Sequence, residues 1–345
     1  MITRYDKQLY LNRATKITAD IDIEYFNHKT ILLSGATGLI GTMFIDALLS
    51  NPNYHGLIIA NTLNVRAAQA RFSKWLYDGR LSFVEGNIKE PLHVARTVDI
   101  VIHAASYTDP KNYAAHPIDT MLINFLGIKN MLDIAARNKA KVLVMSTTEV
   151  YGESKQTTPL DETSYGYIDP LQLRSAYNIA KQAAETLAIA YSEEHGLHVT
   201  IARFSRVYGP TMLKGDTKAL SQFIKNTLRE EAVLLKSAGS QQYSYIYVAD
   251  AVRAMLFLLE HGESNEAYNI TNDEVYSLKE IAQLVAKIGE VDFKQEIQDE
   301  YKGKGYSKAT FAILDTSKIK AIGFKTEVNL KEGLEETIQI LRSEY

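Results

Sequence analysis

Short apolar runs alternate with stretches of helical apolar spacing along most of this chain. Ile31-Leu32-Leu33, the GLIIA run at 56–60, 81–84, the DIVIHAA run at 99–105, KVLVM at 141–145 and 199–202 each read as a buried strand. Between them, TMFIDALLSN carries Phe44, Ile45, Leu48 and Leu49 at helical spacing, and 118–138 has the same period. Strand and helix in alternation predict an α/β fold, a Rossmann-like doubly wound parallel sheet with helices on both faces. The pattern loosens after Pro210. There, 217–228 is helical, 233–236 strand-like and 239–247 rich in tyrosine. A strong helix, DAVRAMLFLLEHG, follows with Asp250 as its N-cap, then a short strand at 267–270 and a helix after N-cap Ser277. The end is Lys-rich and then helical. The expected organisation is an N-terminal extension at 1–28 with one or two short surface helices, and a main domain at 29–205 to which 240–262 returns. A smaller C-terminal α/β domain takes 206–239 and 263–345.

Glycines sharpen this picture. Gly35, Gly38 and Gly41 follow the first strand at three-residue spacing and open the first long helix. Strand, glycine turn and helix in that order form a dinucleotide-phosphate site, in which backbone N–H groups meet the pyrophosphate. The spacing is G-x-x-G-x-x-G, a variant of the commoner fingerprint. Gly35, Thr37, Gly38, Leu39, Ile40 and Gly41 are therefore candidate cofactor-binding residues. An acid ending the second strand would hold the adenosine ribose, but none is present. Asn61 is the nearest polar candidate, with Arg66 and Arg71 beyond it, so NAD and NADP both stay open. Asn87, beside Ile88, either meets adenine or shapes a turn. Ala104 and Ala105 are small enough for a cofactor to approach the end of their strand.

Composition narrows the classes. The 345 residues are 46% hydrophobic and 23% charged, as in soluble globular chains. A net charge of −3 gives no strong pull on nucleic acid. There is no cysteine, which excludes disulfides and thiolate chemistry and fits a cytoplasmic protein. No signal-peptide core and no membrane-length apolar run is seen. The eight histidines are dispersed and no metal-ligand cluster appears; His103 reads as a core residue.

The candidate chemistry lies in SAYNIAKQAAE, 175–185. Tyr177 and Lys181 are four apart and share a helix face. A lysine ammonium beside a phenol favours the phenolate and makes a general acid/base for a sugar hydroxyl. Upstream, the KVLVM strand runs into STTEVYG. Its carboxyl end carries Thr148, a hydrogen-bonding group for a sugar oxygen, and Glu149, a candidate base.

GATGLIG, STTEVYG and YNIAK together resemble the extended short-chain dehydrogenase/reductase family, and more narrowly its NAD-dependent nucleotide-sugar epimerases and dehydratases. Arg203 with VYGP, YVADA and EAYNI match further. DPLQLRSAYNIAKQAAE looks most like the UDP-glucuronate decarboxylase branch. The resemblance implies an NAD cofactor, with NADP open, and a C-terminal domain closing over a nucleotide-sugar. It implies a homodimer through the helices of Asn124 and Tyr177, and a place in cell-surface polysaccharide precursor synthesis. Catalysis would be transient oxidation at sugar C4, with Tyr177 taking the hydroxyl proton and Lys181 and Thr148 assisting. Decarboxylation, 4-keto reduction, or a non-catalytic cofactor-binding scaffold are the alternatives. Two departures stand out. The 4,6-dehydratases carry Thr-Asp-Glu where this chain has Thr147-Thr148-Glu149, so their general-acid aspartate is missing although Glu149 remains. Tyr243 stands where the family often has an arginine, while Arg206 stands where it often has an asparagine. Arg206 and Tyr243, with Thr148, are thus the candidate substrate-binding residues.

Overall fold

A computed structural model describes residues 7–108, 110–154, 158–297 and 311–342. The Lys-rich stretch expected near the end falls largely at 298–310, outside the described residues. The strands in chain order are β1 (Thr30–Ser34), β2 (Leu57–Thr62), β3 (Leu81–Glu85), β4 (Ile100–His103), β5 (Lys141–Thr147), β6 (Val199–Phe204), β7 (Arg206–Tyr208), β8 (Val233–Leu235), β9 (Gln242–Tyr243), β10 (Tyr245–Tyr247), β11 (Glu266–Ile270), β12 (Tyr276–Ser277), β13 (Phe293–Gln295) and β14 (Phe311–Ala312). The helices are α1 (Lys7–Lys16), α2 (Leu39–Ser50), α3 (Val65–Arg71), α4 (Pro110–Ala115), α5 (Pro117–Asn138), α6 (Ser175–His195), α7 (Ala219–Leu228), α8 (Val248–His261), α9 (Leu278–Gly289), α10 (Ser317–Ala321) and α11 (Leu330–Arg342).

Seven strands form one parallel sheet in the order β11-β6-β5-β4-β1-β2-β3. Successive residues of β1 divide between the two faces. Ile31 and Leu33 join the core with α2 and α8, while Leu32 joins the core with α5 and α6. This two-sided burial explains why the strands read as unbroken apolar runs. From β1 the chain passes to β2 on one side, and the later strands β4 to β6 lie on the other. The order reverses between β1 and β4, so a crevice opens at their carboxyl ends.

Three expectations need correction. The strand expected at 267–270 in the second domain is β11, which pairs with β6 at the edge of the main sheet. Asp250 does not cap α8; that helix starts at Val248 after Tyr247. The Asp250 carboxylate is fully buried instead, accepts the N–H groups of Glu327 and Val328, and pairs with Arg253 at 3.0 Å. The N-terminal extension is more than a surface appendage. Tyr10 and Ala14 of α1 and Ile17 just after it are buried, and Arg13 forks onto Glu336 of α11 at 2.8 and 2.5 Å. Ser277 does cap α9, in a capping box with Glu280.

Among the described residues no helix is long and apolar enough to cross a membrane, and no cluster of His, Asp and Glu could hold a metal ion.

Candidate functional site

On the β1 side of the crevice the backbone makes the site. Gly35 has φ +69°, and a Cβ there would lie 2.6 Å from the Ala104 carbonyl carbon. A Cβ on Gly41 would run into the Gly35 carbonyl oxygen. Both glycines are thus demanded by the turn itself. Gly38 differs. Its backbone is extended (φ −77°, ψ 179°), and a Cβ there would meet only the Gly35 oxygen, at 3.2 Å. Gly38 is also the N-cap of α2, with no side chain capping it. The N–H groups of the first helical turn have no intrahelical partners and carry the positive end of the helix dipole. Thr37, Leu39 and Ile40 lie half-buried around this uncapped end. An open glycine before bare N–H groups fits the pyrophosphate of a dinucleotide.

Ser34 fixes the opposite rim. Its Oγ accepts the N–H groups of Ala104 and Ala105, each at 3.2 Å, and lies 2.9 Å from His103 Nδ1. His103 is fully enclosed, and burial, aided by the Lys181 charge, lowers its pKa to about 3. It is a neutral core residue, as its place on an apolar strand indicates.

The adenosine end is less open than expected. The Asn61 amide donates to the carbonyls of Gly86 at 3.1 Å and Val84 at 3.4 Å, stitching β2 to the end of β3. The exposed Asn87 folds its Oδ1 onto the Lys89 N–H, an Asx turn. Ile88 beside it is buried, and its carbonyl accepts from Asn130 of α5. Arg71 is committed to Thr42 Oγ1 at 2.6 Å, whereas Arg66 is exposed.

Across the crevice, α6 packs on the end of β5. Lys181 Nζ donates to the Met145 carbonyl at 2.7 Å, and Asn178 donates to the Glu149 carbonyl at 2.8 Å. These bonds seat Tyr177 and Lys181, both buried, on the helix that faces Thr148 and Glu149. Burial pulls the Lys181 pKa down to about 8, and Glu185 one turn later opposes the shift. Glu149 is not a free carboxylate: Arg174 binds it at 2.8 Å. Sequence reasoning missed Arg174; its only signal was its position three residues before Tyr177.

A second missed group lies behind α6. Glu185 takes two bonds from Arg203, at 3.0 and 2.7 Å, and a short one from Ser146 Oγ. Arg203 also reaches Tyr151, whose hydroxyl bonds Asn269 of β11 at 2.6 Å. The network joins β5, α6, β6 and β11 below the crevice. Finally, Arg206 and Tyr243, far apart in the chain, touch: the guanidinium carbon is 3.4 Å from the ring centroid.

Comparison with known proteins gives three findings. A profile described as the NAD dependent epimerase/dehydratase family matches residues 31–271. UDP-glucuronic acid decarboxylase 6 of Arabidopsis thaliana is 32% identical over 309 residues, 89% of this chain and 87% of that protein. UDP-glucuronic acid decarboxylase 1 of Xenopus tropicalis is 30% identical over 323 residues, 92% of this chain and 73% of that protein. Among solved structures, the UDP-glucose 4-epimerase of Thermotoga maritima, crystallised with UDP-glucose, superposes with a TM-score of 0.80. It is 26% identical, and the match covers 91% of this chain and 99% of the epimerase.

Proposed function

Because the chain belongs to the NAD dependent epimerase/dehydratase family, we propose that it is an NAD-dependent enzyme that changes a nucleotide-sugar by transient oxidation at sugar C4. The observation that carries this reading is the seating of Tyr177 and Lys181 on one face of α6 against the Thr148 end of β5. The glycine turn and the Ala104–Ala105 rim would hold the cofactor, with Thr37, Leu39 and Ile40 around the pyrophosphate. NAD supplies hydride uptake and return at the sugar carbon. Tyr177 takes the 4-hydroxyl proton and later returns it. The Lys181 ammonium stabilises the negative charge that develops on the phenolic oxygen, and Thr148 hydrogen-bonds the same sugar oxygen. The resulting 4-keto group acidifies the neighbouring carbon, so epimerisation, elimination or decarboxylation can follow. The segment 206–239 and the C-terminal elements outside the main sheet would close over the sugar and nucleotide. Such a product suits cytoplasmic synthesis of polysaccharide precursors.

Decarboxylation of UDP-glucuronate is the second reading, favoured by similarity to the plant and frog UDP-glucuronic acid decarboxylases. Against a simple copy of that reaction, Glu149 is already paired with Arg174. A homodimer is proposed as well: α5 exposes Ile118, Met121, Leu122 and Phe125, an i, i+3, i+4, i+7 stripe.

The test is incubation of the purified protein, with NAD, with UDP-, dTDP-, CDP- and GDP-sugars, followed by mass spectrometry of products and cofactor. Conversion of one sugar class with NAD returned unchanged is the expected result. Net NADH or NADPH consumption would replace this reading by a reductase. Bound cofactor without turnover of any sugar would leave a non-catalytic scaffold. Light scattering giving a monomer mass at micromolar concentration would remove the dimer.

A further inference from the structure

Of the cations near the ends of β5 and β6 in the described residues, Arg174, Lys181 and, below the crevice, Arg203 are committed. Arg174 is paired with Glu149, Arg203 with Glu185, and Lys181 is bonded to the Met145 carbonyl. Arg206 has no carboxylate within 4 Å among the described residues; its recorded side-chain contact is the face of Tyr243. Stacking uses the π-face of a guanidinium and leaves its five in-plane N–H donors available.

The pair is rigidly mounted. Arg206 pairs with Tyr245 between β7 and β10, while Tyr243 lies in β9 between β12 and β14. Tyr243 is buried to 7% exposure, so it gives the guanidinium a fixed platform. The charges of Glu149 and Arg174, themselves paired at 2.8 Å, also act on the Tyr243 phenol. Glu149 is neutralised by Arg174 and does not repel an anion there. Arg206 thus lies two residues past Phe204, which pairs with Thr147 at the carboxyl end of β5, and has no carboxylate to compensate it among the described residues.

We propose that Arg206, stacked on Tyr243, is the clamp for an oxyanion of the substrate. Resting on the nucleotide-sugar reading above, that oxyanion is a phosphate of the diphosphate or the carboxylate of a uronic acid sugar. Two or three in-plane donors match either group. Pre-orientation reduces the rotamer entropy lost on binding.

The experiment measures affinity by calorimetry on wild type and Arg206→Ala, with NAD present. Probes are UDP, dTDP, CDP and GDP, then UDP-glucose and UDP-glucuronate. Arg206→Ala should bind the preferred nucleoside diphosphate about 10–100-fold more weakly, the span for losing hydrogen bonds to a charged group. NAD affinity should stay within about twofold, since lost anion contacts do not reach the glycine turn. Unchanged diphosphate binding with loss of a preference for UDP-glucuronate over UDP-glucose would identify the carboxylate as the oxyanion. Tyr243→Leu should weaken binding more than Tyr243→Phe, because only phenylalanine keeps the platform. Arg206→Ala that binds every probe as wild type does would overturn the clamp. A wild type that binds none of the probes would instead remove the nucleotide-sugar reading itself.

Discussion

Along the Gly35–Gly41 turn the main chain makes the site, whereas around Thr148 side chains from several separate segments make it. The turn needs little beyond three small residues and an uncapped helix end, and two of its glycines are required by its own sterics. The proposed substrate wall depends on pairs drawn from across the sequence. Arg174 neutralises Glu149, Tyr243 carries Arg206, and Asn178 ties α6 to the end of β5. A backbone site of this kind can hold the same cofactor while the sugar changes. A site of paired side chains changes its ligand whenever one pair is exchanged. In this chain Arg206 resting on Tyr243 is such a pair.

The sharpest way to separate the two regions is Tyr177→Phe. Only the phenolic oxygen is lost, from a buried position on α6. Turnover should fall by about 10²–10⁴-fold, the usual contribution of a general acid/base. NAD affinity should hold, because the glycine turn is untouched. Single-turnover kinetics with the converted sugar would check this, and a rate within a factor of two of wild type would remove Tyr177 from the chemistry.

Gly38→Val probes the other region with a smaller effect. A Cβ at Gly38 meets only one atom, at 3.2 Å, so the protein should still fold. The added methyl groups would stand where a pyrophosphate must approach the bare N–H groups of α2. NAD binding should weaken by about 10–100-fold, the loss for hydrogen bonds to a charged group. Titration calorimetry on a variant with a native circular dichroism spectrum would read it. Unchanged affinity would make the glycine purely structural.

The same contrast explains what could be read from the chain. The sheet, the glycine turn and the face shared by Tyr177 and Lys181 are local patterns, fixed by short unbroken apolar runs, the 3.6-residue helical period and glycine spacing. The cap at Ser277 was legible for the same reason, and the structure adds Glu280 to it as a capping box. Asp250 misled because an aspartate near a helix start resembles a cap. The backbone N–H groups it accepts from, those of Glu327 and Val328, lie more than seventy residues away. β11 was assigned to the wrong domain because a five-residue strand carries no mark of the sheet it joins. The Arg174–Glu149 and Arg203–Glu185 pairs left no local signal either, since their register is set by packing.

The smallest effect concerns Asn61, on β2 next to the strand that leads into the glycine turn. Its position at the end of β2 invites a ribose contact, yet its amide is spent on the Gly86 and Val84 carbonyls. Asn61 is 5% exposed, so little of it faces a ligand. If the amide serves only to join β2 to β3, Asn61→Ala should cost about 0.5–1.5 kcal/mol in stability, the net worth of an ordinary hydrogen bond, plus a contribution from the carbonyls left unpaired. NAD affinity should change by less than about threefold, because no ribose contact is lost. Urea unfolding and calorimetry on the same variant measure both quantities. A tenfold loss of NAD affinity with unchanged stability would reverse the assignment: the side chain would then turn from the strand carbonyls to the ribose on binding, and the cofactor region would depend on at least one side chain as the substrate wall does.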